Sequence, residues 1–141
     1  MSERRLRQAV GGLALLGAAI AAYLTVTWAA DIAPVCTTGG CAKVQSSEYA
    51  ELVGIPVAAL GLGAYLAIFA TALCAGPAPA AIGAALALAG VAFSAYLFVV
   101  QAFVIEAFCL WCLMSDAVMV VLVVAAVLRL RAAGREAEPT A

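Results

Sequence analysis

The chain has 141 residues, of which 67% are hydrophobic and only 11% are charged. A soluble domain of this length could not bury so much apolar surface, so the composition predicts an integral membrane protein in contact with lipid. The net charge of −1 offers no basic surface for nucleic acid. The sequence contains no histidine, which excludes imidazole metal ligands, histidine-bound haem and histidine acid–base chemistry.

The N-terminal segment, residues 1–8, is basic and is followed by an apolar run from about 9 to 30. A signal peptide also starts with a basic segment, and residues 27–29 have the composition of a cleavage site. The hydrophobic part of a signal peptide, however, is only about 7–15 residues long, whereas a membrane span takes about 20 residues. The length of the run therefore favours a retained first transmembrane helix.

Residues 31–54 form the only long polar stretch of the chain. Cys36 and Cys41 lie in it, separated by Thr-Thr-Gly-Gly, which has the composition of a turn. Helix-forming residues dominate from Cys41 to about Leu52, before a Gly and a Pro end the segment. The sequence therefore predicts an outer loop that carries a short helix at the membrane surface.

Three further apolar runs follow, at about 55–75, 80–105 and 109–128. The first two are joined by Gly76-Pro77-Ala78-Pro79, which predicts a tight turn, and the last two by a very short hairpin at Glu106. Each run is long enough to cross a bilayer. The predicted fold is an all-α bundle of four transmembrane helices, with residues 9–128 as the membrane domain and 129–141 as a second terminal segment.

The basic residues predict the orientation of the bundle. Six of the seven Lys and Arg lie in the two terminal segments, and only Lys43 lies elsewhere. Arg-rich segments stay in the cytoplasm, so both termini are expected there, which agrees with four spans. Residues 31–54 and the Glu106 hairpin then face outward, whereas Cys74 lies near the cytoplasmic face. One outer face thus carries the other four cysteines: Cys36, Cys41, Cys109 and Cys112.

Cys109-Leu110-Trp111-Cys112 begins the last apolar run. Both sulfurs are expected near a helix N-terminus, where unpaired N–H groups and the helix dipole favour a thiolate. The pair therefore predicts a disulfide that opens and closes. Zinc needs more ligands than this run supplies, and a c-type haem needs a His where Leu113 stands, so no metal or haem is expected.

The two cysteine pairs permit two interpretations. A flexible loop pair beside a more rigid helix pair suits thiol–disulfide exchange, in which one pair reduces the other through a mixed disulfide. Alternatively, both pairs are static staples in a non-catalytic membrane subunit. A bridge between residues three apart would stabilise a helix bundle little, so the redox interpretation is favoured.

Asp116 lies one helical turn after Cys112, on the same face of the predicted helix and inside the membrane. An ionisable side chain is costly there and is therefore a functional candidate. It would transfer a proton to an electron acceptor, or donate a hydrogen bond while neutral. Alternatively, Asp116 is hydrated near the interface or bonded to a neighbouring Ser or Thr.

These motifs resemble the vitamin K epoxide reductase family. The similar segments are Cys36-x4-Cys41-Ala-Lys-Val-x-Ser-Ser47, Gly54-Ile-Pro56 and the Cys-x-x-Cys at the start of the last helix. The resemblance covers about residues 9–128 and is closest to the short bacterial homologues. It implies a four-helix bundle in the inner (cytoplasmic) membrane that holds a quinone of the menaquinone or ubiquinone type. The bacterial disulfide-bond formation protein B family matches less well, since its Cys-x-x-Cys lies in the first outer loop.

The resemblance also implies a role for each cysteine. Cys36 and Cys41 would take electrons from a partner's thiols. Cys41 would exchange with Cys109, and Cys112 would face the quinone. Ser47 matches the family's loop serine near a quinone carbonyl. The implied activity is quinone-dependent thiol–disulfide oxidation, which supports disulfide-bond formation.

The sequence departs from the family at two points. The animal enzymes hold the vitamin K ring with an Asn on the second helix and a Tyr four residues after the last cysteine. This chain has no Asn and carries Asp116 at the latter position, so reduction of a quinone is expected, with epoxide reduction as the alternative. Only residues 129–141 follow the last predicted helix, so the expected electron donor is a separate exported DsbA-like, thioredoxin-fold protein.

Overall fold

The computed structural model describes residues 1–37 and 39–139, which form four long helices and several short elements. The α-helices are α1 (Glu3–Ala29), α2 (Cys41–Gln45), α3 (Val57–Leu73), α4 (Pro77–Val99) and α5 (Leu110–Ala137). A 3-10 turn (Glu48–Ala50) follows α2, and a π-helical turn (Val100–Ile105) ends α4. Strands β1 (Glu51–Leu52) and β2 (Ile55–Pro56) pair antiparallel, with Glu51 opposite Pro56.

Three of the helices are long and apolar enough to cross a membrane: α1, α4 with its π-helical turn, and α5. The fourth apolar helix, α3, is shorter, at 17 residues. Apart from the two-residue strands, the regular structure of the described chain is helical. The protein is therefore an all-α membrane protein, as its composition predicted.

The four long helices pack in a ring, in which α1 contacts α3 and α5, and α4 contacts the same two helices. Small residues permit this close packing. A Cβ atom on Gly17 of α1 would collide with the ring of Tyr65 on α3, and one on Gly90 of α4 would lie 2.8 Å from the sulfur of Met119 on α5. The buried core runs between these contacts and is built largely from Ala, Val and Leu.

The loop helix is shorter than the sequence indicated. It ends at Gln45 instead of continuing to about Leu52. Beyond it the chain forms the 3-10 turn and then reverses at Val53 and Gly54, whose φ angles are 54° and 79°. Two residues in the left-handed region form a tight hairpin turn between β1 and β2, which is incompatible with a continuing helix.

The turn expected at residues 76–79 is largely the first turn of α4. Helix α4 begins at Pro77, because proline lacks the N–H that a first helical residue leaves unpaired and its fixed φ suits that position. The chain reverses at Gly76, whose φ of 112° is a value that glycine adopts readily and other residues rarely do.

The helix ends on the side of the chain termini are joined by a buried ion pair. Arg129 Nε lies 3.0 Å from Glu3 Oε1, and both side chains are buried. Arg129 Nη2 also donates to the carbonyl of Cys74 at 2.6 Å, and the Glu3 N–H donates to Glu136 at 3.0 Å. We call Glu3, Arg129 and the Cys74 carbonyl the arginine clamp. Its members Glu3 and Arg129 lie within segments expected to be tails, into which helices α1 and α5 extend.

Candidate functional site

Four cysteines meet in one cluster, at the end of α5 that lies about 30 Å along the helix axis from Arg129. Cys36 and Cys41 form a disulfide, with their Cα atoms 6.0 Å apart. Cys109 and Cys112 are thiols, and Cys41 and Cys109 are fully buried. The fifth, Cys74, is exposed at the arginine clamp. The structure thus brings together the four cysteines that the sequence placed at one face.

Gly40 brings the loop pair against the helix pair. A Cβ atom at Gly40 would collide with the carbonyl oxygen of Phe108 and would lie 3.1 Å from its carbonyl carbon and nitrogen. Gly40 precedes Cys41, and Phe108 precedes Cys109, so this backbone contact sets the two buried cysteines side by side. A residue without a side chain is required for so close an approach.

The segment before Cys36 is also held in place. Trp111 Nε1 donates to the carbonyl of Val35 at 2.6 Å, and the Val35 N–H donates to the hydroxyl of Tyr23 at 2.9 Å. The rings of Tyr23 and Trp111 lie 4.6 Å apart between centroids. Both backbone groups of Val35 are therefore bonded, one to α1 and the other to α5.

Cys109 caps the N-terminus of α5, which begins at Leu110. Its sulfur accepts a hydrogen bond from the Cys112 N–H at 3.4 Å, and its carbonyl accepts from the Leu113 N–H at 3.0 Å. Its own N–H donates to Oε1 of the buried Gln101, in the π-helical turn, at 2.9 Å. The unpaired N–H groups of the helix start are thus directed at the sulfur, as expected.

The pKa of Cys109, which precedes the spanning helix, is lowered to about 7. The main cause is the hydrogen bond from the Cys112 side chain, and burial opposes it. The backbone N–H of Cys112, the Gln45 amide and the backbone N–H of Trp111 lower the pKa further. The lowered pKa favours the thiolate of Cys109, which is the state in which a cysteine is nucleophilic.

Gln45 is a site residue that the sequence reasoning missed. Its Nε2 atom lies 3.4 Å from the sulfur of Cys112 and 3.9 Å from that of Cys109. The signal was present in the spacing, since Gln45 comes four residues after Cys41 and hence lies on the same face of α2. Gln101 had no comparable signal, because only the π-helical turn directs it towards Cys109.

A cavity of about 320 Å³ opens beside the cysteine cluster, between α3, α4, α5 and the loop. Cys112 lines it, whereas Cys109 does not. Most of the lining residues are apolar. Its polar and ionisable lining residues include Gln45, Ser47, Ser94, Gln101, Ser115, Asp116, Tyr49 and Tyr65. Both residues that the sequence selected for quinone binding, Ser47 and Asp116, therefore border the same cavity as Cys112.

Hydrogen bonds already engage part of this polar set. Ser47 Oγ donates to the carbonyl of Val44 at 2.6 Å. The Tyr65 hydroxyl lies 2.9 Å from both the carbonyl and the hydroxyl of Ser115. These bonds pair the hydroxyl groups of Ser47 and Tyr65 and fix their positions in the wall of the cavity.

Asp116 is the exception. Its side chain interacts with that of Ser94 on α4. Its Oδ2 atom is nevertheless buried and has no hydrogen-bond partner among the residues that the structure describes. A buried oxygen without a partner is costly, and a ligand group in the cavity would satisfy it.

Comparison with known families gives a match over most of the chain. The family model described as Vitamin K epoxide reductase family matches residues 8–127 of this chain. The matched segment holds both cysteine pairs and all the residues that line the cavity. Its bounds agree with the segment of about 9–128 over which the motifs resembled that family.

Proposed function

Because this chain belongs to the vitamin K epoxide reductase family, and is therefore a membrane oxidoreductase, we propose that it oxidises an exported DsbA-like, thioredoxin-fold protein and passes the electrons to a quinone. The observation that carries the proposal is the cluster of four cysteines, in which Cys112 also lines an apolar cavity. One pair is a disulfide and the other a dithiol. Two adjacent pairs in opposite oxidation states are what exchange between them requires.

We propose that the cysteine cluster faces the outside of the cell, with four spans and both termini in the cytoplasm. The six Arg residues lie near the helix ends joined by the arginine clamp. Arg-rich segments favour the cytoplasmic side of the membrane, so this end of the bundle is expected there. Helix α3 has 17 residues and is about 26 Å long, which is close to the lower limit for a span. An exported donor would then reach the loop disulfide directly.

The transfer takes place in three exchanges, each of which conserves atoms and electrons. The donor's two thiols reduce the Cys36–Cys41 disulfide and leave as a disulfide. Cys41 then attacks Cys109 of the oxidised helix pair, which releases Cys112 as a thiolate. Cys36 attacks Cys41 in turn and frees Cys109. The structure has the pairs in the resulting state, and closing the helix pair again releases two electrons and two protons.

The cavity suits a quinone, which when bound would accept two electrons and two protons. Its volume of about 320 Å³ falls at the lower end of the range of small-molecule sites, and its walls are mainly apolar. We propose that Asp116, protonated at its Oδ2 atom, would donate a hydrogen bond or a proton to the quinone oxygen. Ser47 would offer its hydroxyl by releasing the carbonyl of Val44.

The test is the variant Cys112→Ala supplied with reduced donor. Electrons should still reach Cys36 and Cys41, measured as a gain of free thiols, but quinone reduction should fall to the uncatalysed background. Cys74→Ala is the matched control, since Cys74 lies outside the cysteine cluster, and it should retain activity. Quinone reduction at the normal rate by Cys112→Ala would refute the proposed role of this sulfur.

Two alternatives are separated from the proposal by their substrates. In a stapled, non-catalytic subunit, adding a quinone to the reduced protein would change no thiol. In the proposed enzyme, the four clustered thiols should become unreactive to maleimide together. Reoxidation with vitamin K epoxide as the sole acceptor would instead assign the chain an epoxide reductase activity.

A further inference from the structure

We propose that Gln45 stabilises the thiolate of the Cys109–Cys112 pair, and that it does so only while α2 is docked against the start of α5. The inference rests on the proposed function for the role of this thiolate in electron transfer. The contact itself is a feature of the structure. Gln45 would therefore connect the position of the loop with the reactivity of the helix pair.

The geometry is that of one amide serving two sulfurs. Nε2 of Gln45 carries two hydrogens and lies 3.4 Å from Cys112 and 3.9 Å from Cys109. The other donors to these sulfurs are the Cys112 side chain and the backbone N–H groups of Cys112 and Trp111, which belong to α5 itself. Within the described residues, Gln45 is thus the side chain outside the pair that hydrogen-bonds to both sulfurs. One donor close to both sulfurs is consistent with a thiol and a thiolate that share one proton.

The electrostatic surroundings leave this role to a neutral donor. Asp116 lies one turn beyond Cys112 along α5 and supplies no positive charge. Tyr49 from the 3-10 turn and Tyr65 from α3 border the same cavity without supplying a positive charge. Lys43 on α2 and Glu106 before Cys109 are exposed. A hydrogen bond to an ionised group is about twice as strong as a neutral one, so the amide stabilises the thiolate more than the thiol.

The position of Gln45 ties the contact to the loop. Helix α2 starts at Cys41, one half of the loop disulfide, and Gln45 is its last residue. Gln45 also borders both the cavity and a second, more open cleft of about 600 Å³ on the outer side, next to Lys43 and Glu51. Movement of α2 away from α5 would therefore remove the Gln45 amide from the two sulfurs and connect the cavity with the outer cleft.

The experiment is alkylation of the full-length protein as a function of pH, with the loop disulfide intact and the helix pair reduced. Mass spectrometry resolves each cysteine, so Cys74 does not interfere. The wild-type midpoint for Cys109 should lie at about pH 7. Gln45→Leu should raise the midpoint by about one pH unit, which corresponds to about tenfold less thiolate at pH values below the midpoint. Gln45→Lys should lower the midpoint, because it places a cation at the sulfurs.

The opposite signs distinguish stabilisation of charge from a merely structural role. Damage to the packing of α2 would move both variants in the same direction. Gln8→Leu is the matched control, since Gln8 is exposed on α1 at the far end of the bundle, and it should leave the midpoint unchanged. An unchanged midpoint in Gln45→Leu, or an upward shift in Gln45→Lys, would overturn the inference. If Gln45→Leu does not fold, the direction in Gln45→Lys decides.

This assay contains neither quinone nor donor. A negative result would therefore leave the proposed function intact. Conversely, normal quinone reduction by Cys112→Ala would refute the electron path and leave the contact between Gln45 and the two sulfurs standing.

Discussion

The two ends of the bundle are held together by different kinds of contact. At the cysteine end, short elements meet through a disulfide, a close backbone approach at Gly40 and the tethering of Val35 by Trp111 and Tyr23. At the opposite end, long helices are joined by the buried arginine clamp. The first set includes a bond that thiol chemistry breaks, whereas the second contains none.

The difference separates the part of the molecule that reacts from the part that fixes its shape. Reduction of Cys36–Cys41 removes a covalent constraint from the loop without touching the arginine clamp. The clamp keeps the ends of α1, α3 and α5 together during that change. Substitutions at the two ends should consequently affect different measurements.

The largest effect is expected at the arginine clamp. Arg129→Met leaves the Glu3 carboxylate buried without its partner, which should lower the free energy of unfolding by about 3–5 kcal/mol. Denaturation in detergent would measure the loss. The rate of exchange between the two cysteine pairs should stay unchanged in the protein that remains folded.

The matched variant removes both charges. Arg129→Met with Glu3→Gln should recover part of the lost stability, because no unpaired charge remains buried. If the double variant is less stable than Arg129→Met alone, the ion pair is not the reason for the loss. A slower cysteine exchange in either variant would show that the two ends are coupled.

An intermediate effect is expected at Gly40, on the cysteine end. Gly40→Ala introduces a methyl group against the Phe108 carbonyl, and overpacking of this kind costs about 1–3 kcal/mol. The loop should be displaced, and electron transfer from Cys41 to Cys109 should slow by about tenfold or more. Stopped-flow detection of the mixed disulfide would measure it. Gly63→Ala, where a Cβ has nothing within 4 Å, should leave the rate unchanged.

The smallest effect is expected from Trp111→Phe. The substitution removes the indole N–H that donates to Val35 and keeps a ring beside Tyr23. The loss of one hydrogen bond should loosen the loop by about 1 kcal/mol. Hydrogen exchange of the backbone near Cys36 should become faster, with no change around Arg129. Equal changes at both ends would contradict the division between them.

The sequence predicted the features that follow from composition and spacing. The apolar runs located the long helices, and the spacing of Cys109 and Cys112 placed two sulfurs near a helix start. The distribution of Arg and of the other cysteines led to one cluster, which the structure contains. These predictions succeeded because each depends on a local pattern or on chain length.

What the sequence did not predict depends on contacts between distant segments. The pairing of Glu3 with Arg129 joins residues 126 positions apart, in two helices that continue beyond their apolar runs. The role of Gln101 depends on the π-helical turn, and the early end of α2 depends on the left-handed residues of the hairpin. None of these follows from hydrophobic periodicity.

The position of Cys109 at the N-terminus of α5 links the folding of that helix to its own oxidation state. In the dithiol form, the Cys109 sulfur lies at the positive end of the helix dipole and accepts the N–H of the first turn. Formation of the Cys109–Cys112 bond leaves that sulfur neutral and removes a charge–dipole contact of about 0.3–1 kcal/mol for the ionised form. The start of α5 therefore favours the electron-loaded form of the pair, which makes its disulfide a stronger oxidant.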